Sequence, residues 1–159
     1  MRTTFVVFGE NTLFTLNRIV SLLRGRGFDV ISLTPARTAN QRTTSITVVL
    51  DGERVRVERA RACMEKLDEV DRVTLMERDH SIRRELALVK VHHSPAADAV
   101  VERLGAQARV VDRTADTMIV ELVGEPEAID QAVQTLRGVG ILTMTRVGEV
   151  ALACGPEVD

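Results

Sequence analysis

The sequence has 159 residues, enough for one ordinary domain or two small ones, and its 45% hydrophobic content can bury a core, so disorder is not expected. A formal net charge of -2 gives no general attraction to nucleic acid or to an anionic membrane. No apolar run approaches the ~20 residues of a membrane span, and the apolar stretch before Gly9 and Glu10 is too short for a secretory signal, so a soluble cytoplasmic protein is expected.

Residues 4–8, TFVVF, are β-branched and aromatic and are ended by Gly9, which predicts a strand. Asn11 or Thr12 can then cap a helix. In that helix Leu13, Leu16, Val20 and Leu23 recur at helical spacing, and Ile19 and Leu22 widen the face. Arg24 and Arg26 suit the negative end of the helix dipole, and Gly27 suits a left-handed stop. FDVISLTP predicts a second strand ended by Pro35, ARTANQR a polar loop, and TTSITVVL a third strand broken by the DG at 51–52. Val57, Ala60, Met64 and Leu67 share one face of a second helix, and VDRVTLM predicts a short fourth strand. Cys63 lies beside that apolar face and is expected to pack there. With Cys154 as the only other thiol, neither a disulfide framework nor a zinc pattern is present.

ERDHSIRRE is charged and lacks apolar periodicity, so it reads as a linker. The pattern then recurs. LALVKVHH is a strand, and Ser94 and Pro95 open a helix through Val100, Val101 and Leu104. AQARVVDR and TMIVELV are strands meeting at a turn, and Pro126 opens a helix with Ile129, Ala132, Val133 and Leu136 on one face. ILTMTRV is the last clear strand. The same six-element order thus appears twice, offset by about eighty residues. The expected fold is α+β: two tandem ferredoxin-like βαββαβ units, each a four-stranded sheet with two helices on one face and the other face in need of cover. Pairing with further copies follows as an expectation from the exposed sheet edges.

No familiar catalytic constellation is present. His80 sits in the charged linker. His92 and His93 are adjacent on a strand, so they point to opposite faces and do not share a metal. RNA-recognition domains share this fold but stack bases on aromatic residues of the central strands. TTSITVVL has none, so nucleic-acid binding is not expected. What remains is GENTLFT, a loop between a strand and a helix N-terminus. Free N–H groups there attract a carboxylate, and an apolar wall beside them would suit a small amino acid. Simple capping by Asn11 or Thr12 accounts for the same residues, and both readings stay open on the residues alone.

ENTLFTLNRIVSLLRGRGFDVISLT resembles the opening of the small, regulatory subunits of acetolactate synthase (acetohydroxyacid synthase). The pattern there runs roughly EN, a glycine three residues past the Asn, L-x-R-V, then RG-[YF]-N-I-x-S-L. IRRELALVKV is similar to the segment that opens the second domain in that family. The resemblance implies an ACT domain over 1–77 and a C-terminal ferredoxin-like domain over 78–159. It implies a subunit without an active site, which binds and activates a large catalytic subunit. That partner carries thiamine diphosphate, Mg²⁺ and FAD, while this chain carries no cofactor and no metal. The reaction joins two pyruvates, or pyruvate and 2-oxobutyrate, on the way to valine, leucine and isoleucine. It further implies a homodimer through ACT domains, with valine or another branched-chain amino acid bound where the first loop of one copy meets its partner. Carried onto this chain, the effector-binding positions are Asn11, Thr12, Leu13, Phe14, Thr15, Asp29 and Val30. Two of them depart from the pattern: the glycine falls on Phe14, and the Asn after RG-[YF] falls on Asp29. Glycine lets a ligand approach the backbone, whereas a Phe side chain can fill that volume. Asn donates and accepts, whereas an ionised Asp only accepts. The fold and the activating role are therefore expected to hold, and the valine response is expected to be weakened or lost. A stand-alone ACT-domain amino-acid sensor is the alternative.

Overall fold

A computed structural model describes residues 1–10, 12–40 and 42–155. Contacts divide it into two compact units: Met1–Ile82 together with the chain from Glu149 onward, and Arg83–Gly148.

In the first unit β1 (Arg2–Glu10), α1 (Thr12–Gly25), β2 (Asp29–Arg37), β3 (Thr43–Asp51), α2 (Arg54–Met64) and β4 (Val70–Leu75) follow in that order. The sheet order is β2-β3-β1-β4, with every pairing antiparallel. Alternation along the strands sends Phe5 and Val7 of β1 and Ile46, Val48 and Leu50 of β3 toward the helices. There they pack with Ile19 and Leu23 of α1 and Val57, Ala60 and Met64 of α2. Each such side chain contributes about 1.5–3 kcal/mol on full burial. Gly27 takes the left-handed conformation at φ 65° that ends α1, and the Phe28 N–H then donates to the Leu23 carbonyl at 3.0 Å.

Gly9 is required for a different reason. The register of β1 against β4 shifts between Phe8 and Gly9. A Cβ at Gly9 would overlap the Glu69 carbonyl oxygen and lie 3.1 Å from the Thr15 Cγ2. Gly9→Ala is expected to lower the unfolding free energy by about 1–3 kcal/mol, the usual cost of overpacking a site walled by backbone. Urea denaturation of the two proteins checks this, and an unchanged midpoint would contradict the close approach.

The second unit repeats the order with β5 (Ser81–His92), α3 (Pro95–Leu104), β6 (Ala108–Arg113), β7 (Thr117–Gly124), α4 (Pro126–Arg137) and β8 (Ile141–Arg146), in sheet order β6-β7-β5-β8. Ala87, Val89 and Val91 of β5 and Met118, Val120 and Leu122 of β7 meet Ala97 of α3 and Ile129, Ala132, Val133 and Leu136 of α4. The Ser94 side chain accepts the Ala97 N–H at 3.2 Å, so it caps α3. Both units have the α+β ferredoxin-like arrangement expected from the sequence.

Several local expectations are corrected. ERDHSIRRE is not a linker throughout: a single 3-10 turn, Arg78–His80, leads straight into β5 at Ser81. Its inward positions are Ser81, Arg83 and Glu85, all buried, so the strand period is carried by polar residues and not by apolar ones. Glu85 receives the Arg146 guanidinium, which offsets its desolvation. Pro35 does not end β2, which continues to Arg37; β2 is an edge strand, where a residue without an N–H is tolerated. Cys63 is only half-buried and stands outside the core of its unit. A ninth strand, β9 (Val150–Ala153), follows β8 and pairs with β5.

The closing segment also covers the helix-free face of the first sheet. Thr4 and Val6 point to that face, opposite to Phe5 and Val7. Glu149 is fully buried there, accepting from the Thr4 hydroxyl at 2.7 Å and facing the Arg2 guanidinium at 3.3 Å. Among the described residues no helix is long and apolar enough to cross a membrane, and no group of three or more His, Cys, Asp or Glu is placed to hold a metal.

Candidate functional site

The end of β1 and the first turn of α1 form the loop singled out in the sequence. Asn11 lies outside the described residues. Thr12 is exposed and is the first residue of α1, so the unpaired N–H groups of a helix start lie at this point. Thr15 is fully buried, and its hydroxyl donates to the Glu10 carbonyl. That bond ties the first turn of α1 back to the end of β1.

The helix carries more apolar residues than one face can bury. Thr15, Ile19 and Leu23, spaced by four, make the stripe that faces the sheet, with Leu16 and Leu22 partly buried beside them. The repeat Leu13, Leu16, Val20, Leu23 is therefore not a single buried face, because Leu13 is 77% exposed and Val20 38%. Phe14 is 53% exposed and stands outside the core. Leu13, Phe14, Leu16, Asn17 and Val20 instead line an open hollow of about 570 Å³. Leu16, Asn17 and Val20 were not singled out as site residues. The surplus of apolar residues over the width of one helix face was the signal that could have found them. Beyond the hollow Arg18 pairs with Glu69 at 3.3 Å.

Asp29 and Val30 lie elsewhere. Asp29 stands opposite Asp51, and Asp51 stands opposite Arg2, whereas Glu10 stands opposite Thr43. Asp29 is thus at the end of the sheet where β1 begins, and the loop is at the end where β1 finishes. The 14 residues of α1 separate Thr12 from that far end by roughly 20 Å at 1.5 Å of rise per residue. One chain brings Thr12, Leu13, Phe14 and Thr15 together and does not bring Asp29 and Val30 to them. Val30 and Ile31 are exposed on the unpaired edge of β2. Opposite Asp29, a hydrogen bond and the charge of the Met1 ammonium hold the Asp51 carboxyl below its ordinary range, so Asp51 presents a negative charge at that end.

The loop end can thus attract a carboxylate through backbone N–H groups and offer apolar side chains beside it.

Comparison with known proteins bears on what such a chain belongs to. Residues 84–155 match the family model described as the small subunit of acetolactate synthase. A probable acetolactate synthase small subunit of Archaeoglobus fulgidus is 32% identical over 157 residues, covering 98% of each chain. An acetolactate synthase small subunit of Mycobacterium leprae is 31% identical, covering 96% of this chain and 92% of its own. The crystal structure of a Thermotoga maritima acetolactate synthase small subunit superposes with a TM-score of 0.87 at 20% identity over 99% of both chains, a likeness of fold. The two halves of the sequence pattern, the helical loop and the segment that opens β5, thus sit in relatives matched from end to end, and the chain belongs to the family of acetolactate synthase small subunits.

Proposed function

We propose that the protein is the non-catalytic regulatory subunit of an acetolactate synthase, which binds the catalytic subunit and raises its activity. The observation that carries this reading is the end-to-end match to acetolactate synthase small subunits, over 98% of both chains in one case. Thiamine diphosphate, Mg²⁺ and FAD then belong to the catalytic subunit, and this chain needs no cofactor of its own. The protein alone is expected to turn over no pyruvate and, mixed with its cognate catalytic subunit, to raise the rate of acetolactate formation. Rates with and without it, together with gel filtration of the mixture, test this. An unchanged rate with no co-elution would overturn it and leave a stand-alone sensor as the better reading.

Self-association belongs to the same proposal. The unpaired edge of β2, with Val30 and Ile31 exposed on it, favours antiparallel addition of the same strand from a second copy. Such pairing carries the Asp29 end of one β2 toward the Arg37 end of the other, the end where the α1 loop begins. It would bring the two separated halves of the candidate site together, and a branched-chain amino acid is the ligand class that suits them. A dimer is expected at micromolar concentration. Sedimentation showing only monomer at every concentration tested would count against it.

A further inference from the structure

At the opposite end of α1 from the loop, Arg26, Phe28, Arg56 and Arg59 line a hollow of about 390 Å³ that none of the features above uses. We propose that it is a binding site for a small phosphate-bearing anion.

Three guanidinium groups face one hollow, and none of its lining residues is acidic. Among the described residues, neither the Arg26 nor the Arg59 side chain has an ion pair or hydrogen bond. Arg61 shows that α2 pairs a cation where folding calls for it, since it bonds Glu58 at 3.1 Å and Glu65 at 3.0 Å. Arg56 is held in place because it donates to the Gly27 carbonyl in the turn that ends α1, leaving the rest of its fork for a ligand. The left-handed φ of Gly27 shapes that turn.

Folding accounts for only part of these charges: Arg26 suits the negative end of the α1 dipole and Arg56 holds the Gly27 carbonyl, whereas among the described residues the Arg59 side chain makes no such contact. Arg56 lies near the start of α2, whose first turn holds no acidic residue, so it faces the positive end of the helix dipole. Arg56 and Arg59 are like charges at i,i+3, which weakens a helix slightly. The whole chain carries a net charge of -2, so composition does not force the concentration either. What offsets the cost is an anion. A phosphate group matches three guanidinium forks in charge and in paired-oxygen geometry better than a carboxylate does. Phe28 adds an apolar wall on which the organic part of a phosphate ester could rest. This inference does not depend on the proposed function.

Isothermal titration of the full chain with pyrophosphate and with phenyl phosphate tests the site. Benzoate serves as the carboxylate counterpart, and sodium sulfate at matched ionic strength as the screening control. Saturable binding of either phosphate is expected, weakened about tenfold or more in Arg26→Ala and in Arg59→Ala, the loss of one charge-assisted contact each. Both residues are exposed, so both variants should keep the wild-type circular dichroism. Tighter binding of phenyl phosphate assigns the site to an organic ester, and tighter binding of pyrophosphate assigns it to inorganic phosphate. The proposal is overturned by an absence of saturable heat, by affinities unchanged in the two variants, or by benzoate or sulfate binding as well as phosphate. It is equally overturned if no phosphate binds and Arg59→Ala weakens association with the catalytic subunit, which would make the hollow a docking surface for an acidic protein.

Discussion

Glu149→Ala is expected to lower the unfolding free energy by about 3 kcal/mol, the low end of what breaking a buried charged pair costs. The carboxylate is fully buried and is satisfied from two sides, by the Thr4 hydroxyl at 2.7 Å and the Arg2 guanidinium at 3.3 Å. Removal leaves the buried Thr4 hydroxyl without this acceptor and takes the Glu149 carboxylate away from the Arg2 guanidinium. Arg2 keeps 21% exposure of its side chain, and water there holds the cost at the lower end. Glu149→Gln keeps an oxygen for Thr4 and loses only the charge, so it should cost less than the alanine change. A double-mutant cycle with Thr4→Val isolates the hydroxyl–carboxylate contribution. Urea denaturation gives the stabilities, with a lower midpoint and an unchanged slope expected. Hydrogen exchange should also speed up at the Cys154 amide, which donates to the His80 carbonyl at 2.8 Å and is held by the same segment. A change within about 0.5 kcal/mol, the range of ordinary surface substitutions, would show that Glu149 is not the anchor.

That anchor was not legible in the sequence, and the reason is physical. A lone acidic residue after Gly148 looks like solvated surface until a threonine and an arginine 145 and 147 residues away are folded against it. The four residues of β9 are too short to show a period, and their partner β5 is distant in sequence. The start of β5 was hidden because its inward positions Ser81, Arg83 and Glu85 are polar, and a hydrophobic pattern cannot report them. Where inward positions are apolar the reading held. Ile129, Ala132, Val133 and Leu136 are all buried on α4, and Phe5 and Val7 alternate into the core from β1. In the candidate site, the helix start was readable from the apolar repeat. The division of α1 into a buried stripe and an exposed one was not, because periodicity gives a face its direction and not its width. Nor could the pattern reveal that Asp29 lies a helix-length from Thr12. Residues near in a motif are carried apart by the 14 residues between them that fold as one rod.

The assembled enzyme is expected to show weak or absent valine inhibition, and the double change Phe14→Gly with Asp29→Asn is expected to make it more sensitive. Phe14 is exposed at the start of α1 and lines the hollow with Leu13 and Val20, where its ring can fill the space of an effector's backbone. The backbone N–H groups and the dipole of the helix start are unaffected by that side chain and still favour a carboxylate. In the proposed dimer Asp29 would bring a negative charge to the other half of the site. Two like charges near ~4 Å cost on the order of 4 kcal/mol at an effective dielectric of 20, about a thousandfold in affinity. Asp29 is exposed, and solvent screening reduces that ceiling to a shift of roughly fivefold at most. An aspartate can also take the ammonium of an amino acid, so the sign of its effect depends on which end of the ligand it meets, and the steric effect of Phe14 decides the expected direction. Valine titrations of enzyme assembled with the unmodified chain, each single variant and the double variant separate the two. Phe14→Gly alone should recover most of the sensitivity if volume dominates, and Asp29→Asn alone if charge does. Glycine within a helix costs about 1 kcal/mol relative to alanine, so Phe14→Ala serves as the control that removes the ring without loosening the turn. Inhibition of the unmodified enzyme at sub-millimolar valine would show that a ligand fits beside the Phe14 ring. The hollow between Leu13 and Val20 would then have to hold the side chain clear of the helix N–H groups.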